Sequence, residues 1–380
     1  MSNHASTQNG GFTLLEMIFA LALGTIVLAA AVQLYNQGVG ATFTVSQRAQ
    51  MQQDFRAATG MLTRDLSLAG SGLGNNVQIG LPTTSTTPVY GCDQSAKCYI
   101  NGNAAAYPKQ GAVPYLYGLI PGWKYGPTLN AAQGPTDVVT VVYTDSRFYL
   151  NCYAVSVTSS TVVKFTLNSP LPPNCVLPSG VSSPQNVNDA VAGLTPGDLV
   201  WFTLTPSAGC SGCTPSTVVA EVSGVVSTSS TTYNVTFATG DVLKMNQTSA
   251  ASGSLANVVN DVGTGTRILA ITYYIDNSAT PPRLMRQISG HSPMPVAENV
   301  VHLQFSYDLY NSSTGTVEPN QPDGGASLGL TPNQINKINI LHMAMNSTLK
   351  GAQGGYQGMD LQTSVSARDL TYNNSYPIGQ

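Results

Sequence analysis

The feature that most constrains this chain is an apolar run near its N-terminus that contains one carboxylate. Residues 12–35 read FTLLEMIFALALGTIVLAAAVQLY, and Glu16 is the only charged side chain before Arg48. As an α-helix this run is about 35 Å long, which is enough to cross a bilayer. A secretory signal has a shorter apolar region that ends in a small-x-small site, so cleavage after this run is disfavoured.

Glu16 is expensive in such a helix. A carboxylate at the centre of a membrane helix costs about 2.5–3.5 kcal/mol on insertion scales, and less toward the interface. Snorkelling to the interface would reduce the cost, but it does not explain why two glycines precede Phe12. The sequence therefore predicts a partner that compensates the charge of Glu16.

The stretch GGFTLLEM resembles the processing site of type IV prepilins, in which a short polar leader ends in Gly and is followed by an aromatic residue and a Glu. The resemblance implies that a prepilin peptidase cleaves after Gly11 and that Phe12 becomes the N-methylated mature terminus. Glu16 would then meet the amino terminus of a neighbouring subunit during assembly, each charge offsetting the desolvation of the other. The leader, residues 1–11, departs from the usual pattern because it contains no Lys or Arg.

Residues 36–70 continue as an amphipathic helix. Apolar residues recur at spacings of three and four along one face: Met51, Phe55, Ala58, Leu62 and Leu66. Gly38 and Gly40 each cost about 1 kcal/mol in a helix, which predicts a kink or a locally melted turn there. Arg56 and Arg64 are interpreted as solvated surface charges, and Asp65 as a residue that ties the helix to the rest of the protein.

The remainder divides into a loop-rich insertion at 71–135 and a β-rich head at 136–380. β-branched and aromatic segments between turn residues predict strands: 137–145, 161–167, 197–204, 216–225, 232–239, 267–276, 300–310, 335–345 and 361–372. The expected fold class is α+β, with a long N-terminal pilin-type helix packed on a large β-rich globular head.

A narrower resemblance comes from DFRAATGMLTRDLSLAG, which is similar to the equivalent helix of PilW-type minor pilins, and from the order of the C-terminal strands. It implies a non-catalytic minor pilin that primes assembly at or near the tip of a type IV pilus. Its partners would be the major pilin, other minor pilins, the prepilin peptidase and the inner-membrane assembly platform. The head would lie in the periplasm before assembly and on the pilus afterwards. The alternatives are a J-type pseudopilin of a type II secretion system and a filament-tip adhesin that binds through 71–135.

The six cysteines lie in near-neighbour pairs: Cys92 with Cys98, Cys152 with Cys175, and Cys210 with Cys213. Six cysteines allow 15 pairings, and we predict the near-neighbour set, which is typical of an oxidising compartment. The C-x-x-C spacing at Cys210 also suits a metal, but no second such pair or histidine pair accompanies it.

Composition and motifs argue against other function classes. Charged residues make up 9% of the chain and the net charge is −3, without a basic cluster, so we expect no nucleic-acid partner. Catalytic motifs are absent, and His302 and His342 fall inside strand patterns, so we expect no enzyme, cofactor or metal. Tyr115, Tyr117 and Trp123 either seal a loop onto a sheet or form a stacking platform for a ligand.

Overall fold

The structure is a computed structural model that describes residues 12–74, 78–83, 86–177, 180–206, 215–250, 252–347, 358–367 and 369–370. The chain divides into two compact units. The first comprises Met1–Gln53 with Ser347–Gln357, and the second comprises Asp54–Asn346 with Gly358–Gln380. The second unit is called the head below.

Helix α1 runs without interruption from Leu14 to Ser67, so of the two alternatives predicted at Gly38 and Gly40 the locally melted turn was wrong, and the kink stays a prediction. The hydroxyls of Thr42 and Thr44 donate to the carbonyls of these glycines, each at 2.9 Å. The cost of two glycines is smaller than that of breaking a helix that is already nucleated on both sides.

The helix ends at a turn rich in glycine. Gly70 and Gly72 have φ angles of +80° and +76°, in the left-handed region that glycine adopts without steric cost. A Cβ on Gly72 would lie 1.9 Å from Oγ1 of Thr144, so the close approach of the chain also requires glycine there.

Short strands precede the larger sheets. Within the described residues of the predicted insertion they span two to five residues each: β1 Gln78–Gly80, β2 Val89–Tyr90, β3 Ala105–Ala106, β4 Lys109–Gln110, β5 Val113–Tyr117, β6 Leu119–Gly122, β7 Thr128–Asn130 and β8 Gly134–Pro135. The stretch is therefore not simply a loop, although its strands are too short to show periodicity in the sequence.

Further strands follow. They are β9 Val138–Thr144, β10 Tyr153–Ser159, β11 Val162–Leu167, β12 Leu199–Thr205, β13 Ser216–Glu221, β14 Gly224–Ser227, β15 Thr232–Thr236, β16 Val262–Asp276, β17 Arg283–Ile288, β18 Met294–Glu298, β19 Val300–Asn311, β20 Thr316–Gln321, β21 Ile335–Asn346 and β22 Gly358–Ser366. Each of the nine predicted segments overlaps at least one of them, whereas the strands at 153–159, 283–288, 294–298 and 316–321 were not predicted. The predicted fold class, a long N-terminal helix followed by a large β-rich head, is confirmed.

Two sheets form most of the head. The larger has 11 strands, with the path β13-β12-β16-β10-β11-β15-β14 and with β9, β6, β17 and β18 attached through β16. The other has the order β20-β19-β21-β22. All of their pairings are antiparallel. Strand β16, at 15 residues, pairs with β9, β10, β12 and β17, and it therefore joins both halves of the larger sheet.

The apolar face of α1 becomes part of the head core. Its stripe is at most 7% exposed, and Phe55, Ala58, Leu62 and Leu66 join the main core cluster with residues of β9, β16 and β19. A second cluster is built around β10–β13 and β15 and includes Phe165, Phe202 and Phe237. Within the head, the part of the helix from Asp54 onward thus packs its apolar face on the β-sheets.

Candidate functional site

The apolar half of α1 exposes its side chains on every face. The large apolar residues from Leu14 to Val45 that are exposed in one subunit have between 50% and 79% of their surface accessible. Burying each such side chain is worth about 1.5–3 kcal/mol, so water is a poor environment for this segment. Among the described residues, α1 is the helix long and apolar enough to cross a membrane.

Thr13 and Glu16 form a capping box at the start of α1. Oε2 of Glu16 accepts from the backbone N–H and the hydroxyl of Thr13, both at 3.1 Å, and Oγ1 of Thr13 accepts from the N–H of Glu16 at 3.3 Å. Sequence reasoning missed this role, although the signal was present as T-L-L-E, a Thr followed three residues later by Glu. A carboxylate in the first turn also complements the helix dipole.

Glu16 has no cation beside it within one subunit. The ion pairs of the described residues do not include it, and its side chain is exposed. Phe12 is 85% exposed. Gly11, the expected cleavage site, lies outside the described residues. Within the described residues, Glu16 therefore presents a carboxylate without an ion pair, four positions after the residue that would become the mature N-terminus.

Asp65, on the last turn of α1, ties the helix to the head as the sequence suggested. Its Oδ2 accepts from the phenol of Tyr273 at 2.7 Å and from Nε of Arg286 at 2.8 Å, and Oδ1 accepts from Tyr143 at 3.4 Å. Asp65 is 4% exposed. These partners lie on β16, β17 and β9, so one carboxylate joins the helix to three neighbouring strands.

Burial and the charge of Asp65 shift the pKa values of the side chains that bond to it. Burial by itself would lower the pKa of Arg286, but the hydrogen bond and the charge of Asp65 outweigh it and raise that pKa. Burial, with Asp65 adding to it, raises the pKa of Tyr143 to about 12 and that of Tyr273 further. Arg286 therefore stays charged and both tyrosines stay neutral hydrogen-bond donors at physiological pH.

A second buried carboxyl, Glu221 at the end of β13, connects two loops. Its Oε1 accepts from Gln94 in the Cys92–Cys98 loop, and its Oε2 accepts from the N–H of Leu243 at 3.1 Å. Asn246 accepts from the N–H of Glu221 at 2.9 Å. Burial, followed by the hydrogen bond and charge of Asp241, raises the pKa of Glu221 to about 8. Glu221 is therefore largely neutral at neutral pH in the folded head.

We expect Glu221 to make the stability of the head depend on pH. A carboxyl whose folded pKa is raised from 4.5 to about 8 contributes stability below the unfolded pKa, and this stability is lost as the pH rises through the folded pKa. Glu221→Gln should flatten the fall in the free energy of unfolding between about pH 4.5 and 8, measured by urea denaturation. Glu318→Gln, on strand β20, should leave the pH profile unchanged; equal profiles for both variants and the parent chain would contradict the assignment.

Two of the three predicted disulfides are present in the described residues. Cys92 pairs with Cys98 and Cys152 pairs with Cys175, with Cα separations of 4.0 and 4.9 Å. Cys210 and Cys213 lie outside the described residues, so their pairing stays a prediction. The Cys92–Cys98 loop places Gln94 on Glu221, and the Cys152–Cys175 bond lies at the edge of the second core cluster.

Two pairs of the aromatic and histidine candidates are in ring contact, Tyr115 with Tyr117 and His302 with His342, each with centroids 6.0 Å apart. Tyr117 is buried in the core and Tyr115 packs beside it with ring centroids 6.0 Å apart, which fits the sealing role. Trp123 is 42% exposed and lies under the ammonium group of Lys124. His302 is buried, and burial lowers its pKa; His342 is exposed and bonds Asp360. No three His, Cys, Asp or Glu side chains in the described ranges could together hold a metal ion.

Comparison with known families bears on the N-terminal segment. Residues 7–32 match the prokaryotic N-terminal methylation motif. This chain carries a type IV pilin-like prepilin signal. No match was found among curated proteins or among solved structures. The motif, together with the exposed apolar helix, supports a type IV pilin-like protein that is processed by prepilin peptidase, and it suits an anchor in the inner membrane.

Proposed function

We propose that this pilin-like chain is a minor pilin of PilW type that is incorporated at or near the tip of a type IV pilus and primes its assembly. The observation that carries the proposal is the combination of the methylation motif with a helix whose apolar half is uncovered and whose last turns are buried in a large β-rich head. Such a helix needs lipid before assembly and other helices after it, because its apolar surface is otherwise in water.

In this proposal the head lies in the periplasm before assembly and on the pilus afterwards. The two disulfides support an oxidising compartment, because such bonds are rare in the reducing cytosol. The partners are the major pilin and other minor pilins, together with the assembly platform. Function then resides in packing between subunits, and no residue of the chain has a catalytic role.

Glu16 is the residue that we expect to set the register between subunits. In a single subunit its carboxylate caps its own helix through Thr13, and it forms no ion pair with a described residue. In the assembled stack, the amine of the mature Phe12 of an adjacent subunit would supply the opposite charge. Either charge alone in a helical core would be strongly penalised, whereas a close pair offsets part of the desolvation cost.

Substitution of Glu16 tests this role. Glu16→Ala should be processed normally but should be at least tenfold depleted from sheared filaments, measured by quantitative mass spectrometry. Thr13→Ala removes the capping box but keeps the charge, so it should assemble much better than Glu16→Ala. Equal depletion of the two variants would show that helix capping, and not charge pairing, is what assembly requires.

Deletion of the gene tests the type of filament. Loss of surface pili and of twitching, with normal protein secretion, is the expected result. Loss of exported enzymes with pili intact would instead identify a J-type pseudopilin. If pili and secretion both persist and only surface attachment is lost, the chain would be a tip adhesin.

A further inference from the structure

A groove of about 830 Å³ runs along one side of the last turns of α1, within the head. One wall is formed by the helix and the turn that follows it, and the other by the end of β9, the adjoining loop and single residues of β16 and β17. Its lining includes apolar side chains as well as charged ones, and Met61 on the helix wall is 44% exposed. The groove is therefore open to a partner that offers both apolar and charged groups.

Three arginines line this groove, in a chain that has 15 basic residues against 18 acidic ones. Arg286 is neutralised by Asp65, and the other carboxylate of the groove, Asp145, pairs with Arg267. Arg64 on the helix wall and Arg147 on the loop wall make no ion pair with any described residue. Two arginines that form no ion pair among the described residues thus line the groove from opposite walls.

The chemistry of the groove selects the kind of partner. Guanidinium groups bind carboxylates in bidentate pairs, and such pairs add geometric specificity. A nucleic acid is disfavoured, because two free cations release few counterions and the chain as a whole has a net charge of −3. The apolar parts of the wall, including Ala57 and Leu269, suit the side chains of a protein segment.

We propose that this arginine groove docks an acidic segment of a neighbouring pilin-like subunit, with Arg64 and Arg147 binding its carboxylates. The inference deepens the proposed function, and it rests on that function where it names the partner as a filament subunit. It gives the solvated arginine Arg64 a role that its position on an exposed helix face did not indicate. It also places an intersubunit contact on the head, independent of the Glu16 contact in the apolar half.

Peptide binding to the processed full-length protein in detergent tests the groove directly. The probe is an acetylated hexapeptide of alternating Leu and Glu, and its Leu and Gln counterpart is the control. We expect calorimetry to show at least tenfold tighter binding of the Glu peptide, and at least a tenfold loss in the double variant Arg64→Gln with Arg147→Gln. Arg56→Gln, on the same helix but outside the groove, should bind as the parent does. Tighter binding of inorganic phosphate or of a DNA strand, or no loss in the double variant, would overturn the proposal.

Filament incorporation supplies the second test, in cells. Arg64→Glu with Arg147→Glu should be cleaved and should form its disulfides but be at least fivefold depleted from filaments, whereas Arg56→Glu should be incorporated normally. If the parent chain is found in filaments and the double variant is equally abundant there, the docking proposal fails and the minor pilin proposal stands. If the cleaved parent chain is absent from filaments, the minor pilin proposal itself fails.

Discussion

Asp65→Ala should destabilise the head by about 3–5 kcal/mol. Removing one member of a buried ion pair leaves its partner charged and without compensation, which costs about this much. The partner here is Arg286, whose side chain is 15% exposed, and Tyr273 would lose its acceptor as well. The loss should appear as a lower urea midpoint of the full-length protein in detergent, followed by circular dichroism.

A matched control is available on the same helix. Asp54 lies three turns earlier, and Asp54→Ala should change the free energy of unfolding by less than about 0.5 kcal/mol, as is usual for residues without a buried partner network. The double variant Asp65→Asn with Arg286→Gln should be less destabilised than the sum of the single changes, because it removes both charges. Additive effects, or a small effect of Asp65→Ala, would show that α1 is held to the head by its apolar stripe alone.

Gly11→Val should abolish N-terminal processing, which is the largest functional effect that we expect. The predicted cleavage after Gly11 places glycine immediately before the scissile bond, and glycine has no side chain to hinder close approach of another backbone. Valine adds a branched side chain and restricts φ, so the chain should not be accommodated. Co-expression with a prepilin peptidase, followed by intact mass and N-terminal sequencing, should give a mature chain that starts at N-methylated Phe12 for the parent only.

Gly10→Val provides the matched control, because it places the same side chain one residue upstream. It should still be cleaved, which would show that the defect belongs to position 11 and not to the leader as a whole. A Gly11→Val chain that is cut at the same bond would contradict the assigned site. Loss of the whole apolar run from the parent chain would replace the pilin pathway by ordinary secretion.

These two effects concern opposite ends of one helix. Processing and the Glu16 contact act at the start of α1, where the side chains are uncovered in a single subunit. Asp65 acts at its last turns, where the helix joins the core of the head.

The long strands were predictable because each one depends on a local pattern. The segment 300–310 alternates apolar and polar residues, and the structure places Leu303, Phe305 and Leu309 in the core. The short strands at 78–135 were not predictable. They hold two to five residues each, and their partners include β9 and one another, so pairing and not periodicity defines them.

The continuity of α1 shows that the low helix propensity of single residues does not by itself predict a break in a long helix. Gly38 and Gly40 predicted an interruption, yet the helix continues through both, since tens of helical residues on either side outweigh two unfavourable ones. The capping role of Glu16 was predictable from T-L-L-E, because a Thr followed three residues later by Glu is the pattern of a capping box.

The sequence by itself determined the features that are contained in one contiguous stretch: the methylation motif, the membrane-length helix, the apolar stripe and most of the long strands. Periodicity and motif spacing carry that information without any knowledge of distant residues. Tertiary structure decided which residues meet. Asp65 bonds Tyr273 and Arg286 across 208 and 221 positions of sequence, and Gln94 meets Glu221 across 127. Burial and charge compensation are properties of such long-range contacts, so the helix–head cluster, the raised pKa of Glu221 and the arginine groove appear only in the folded chain.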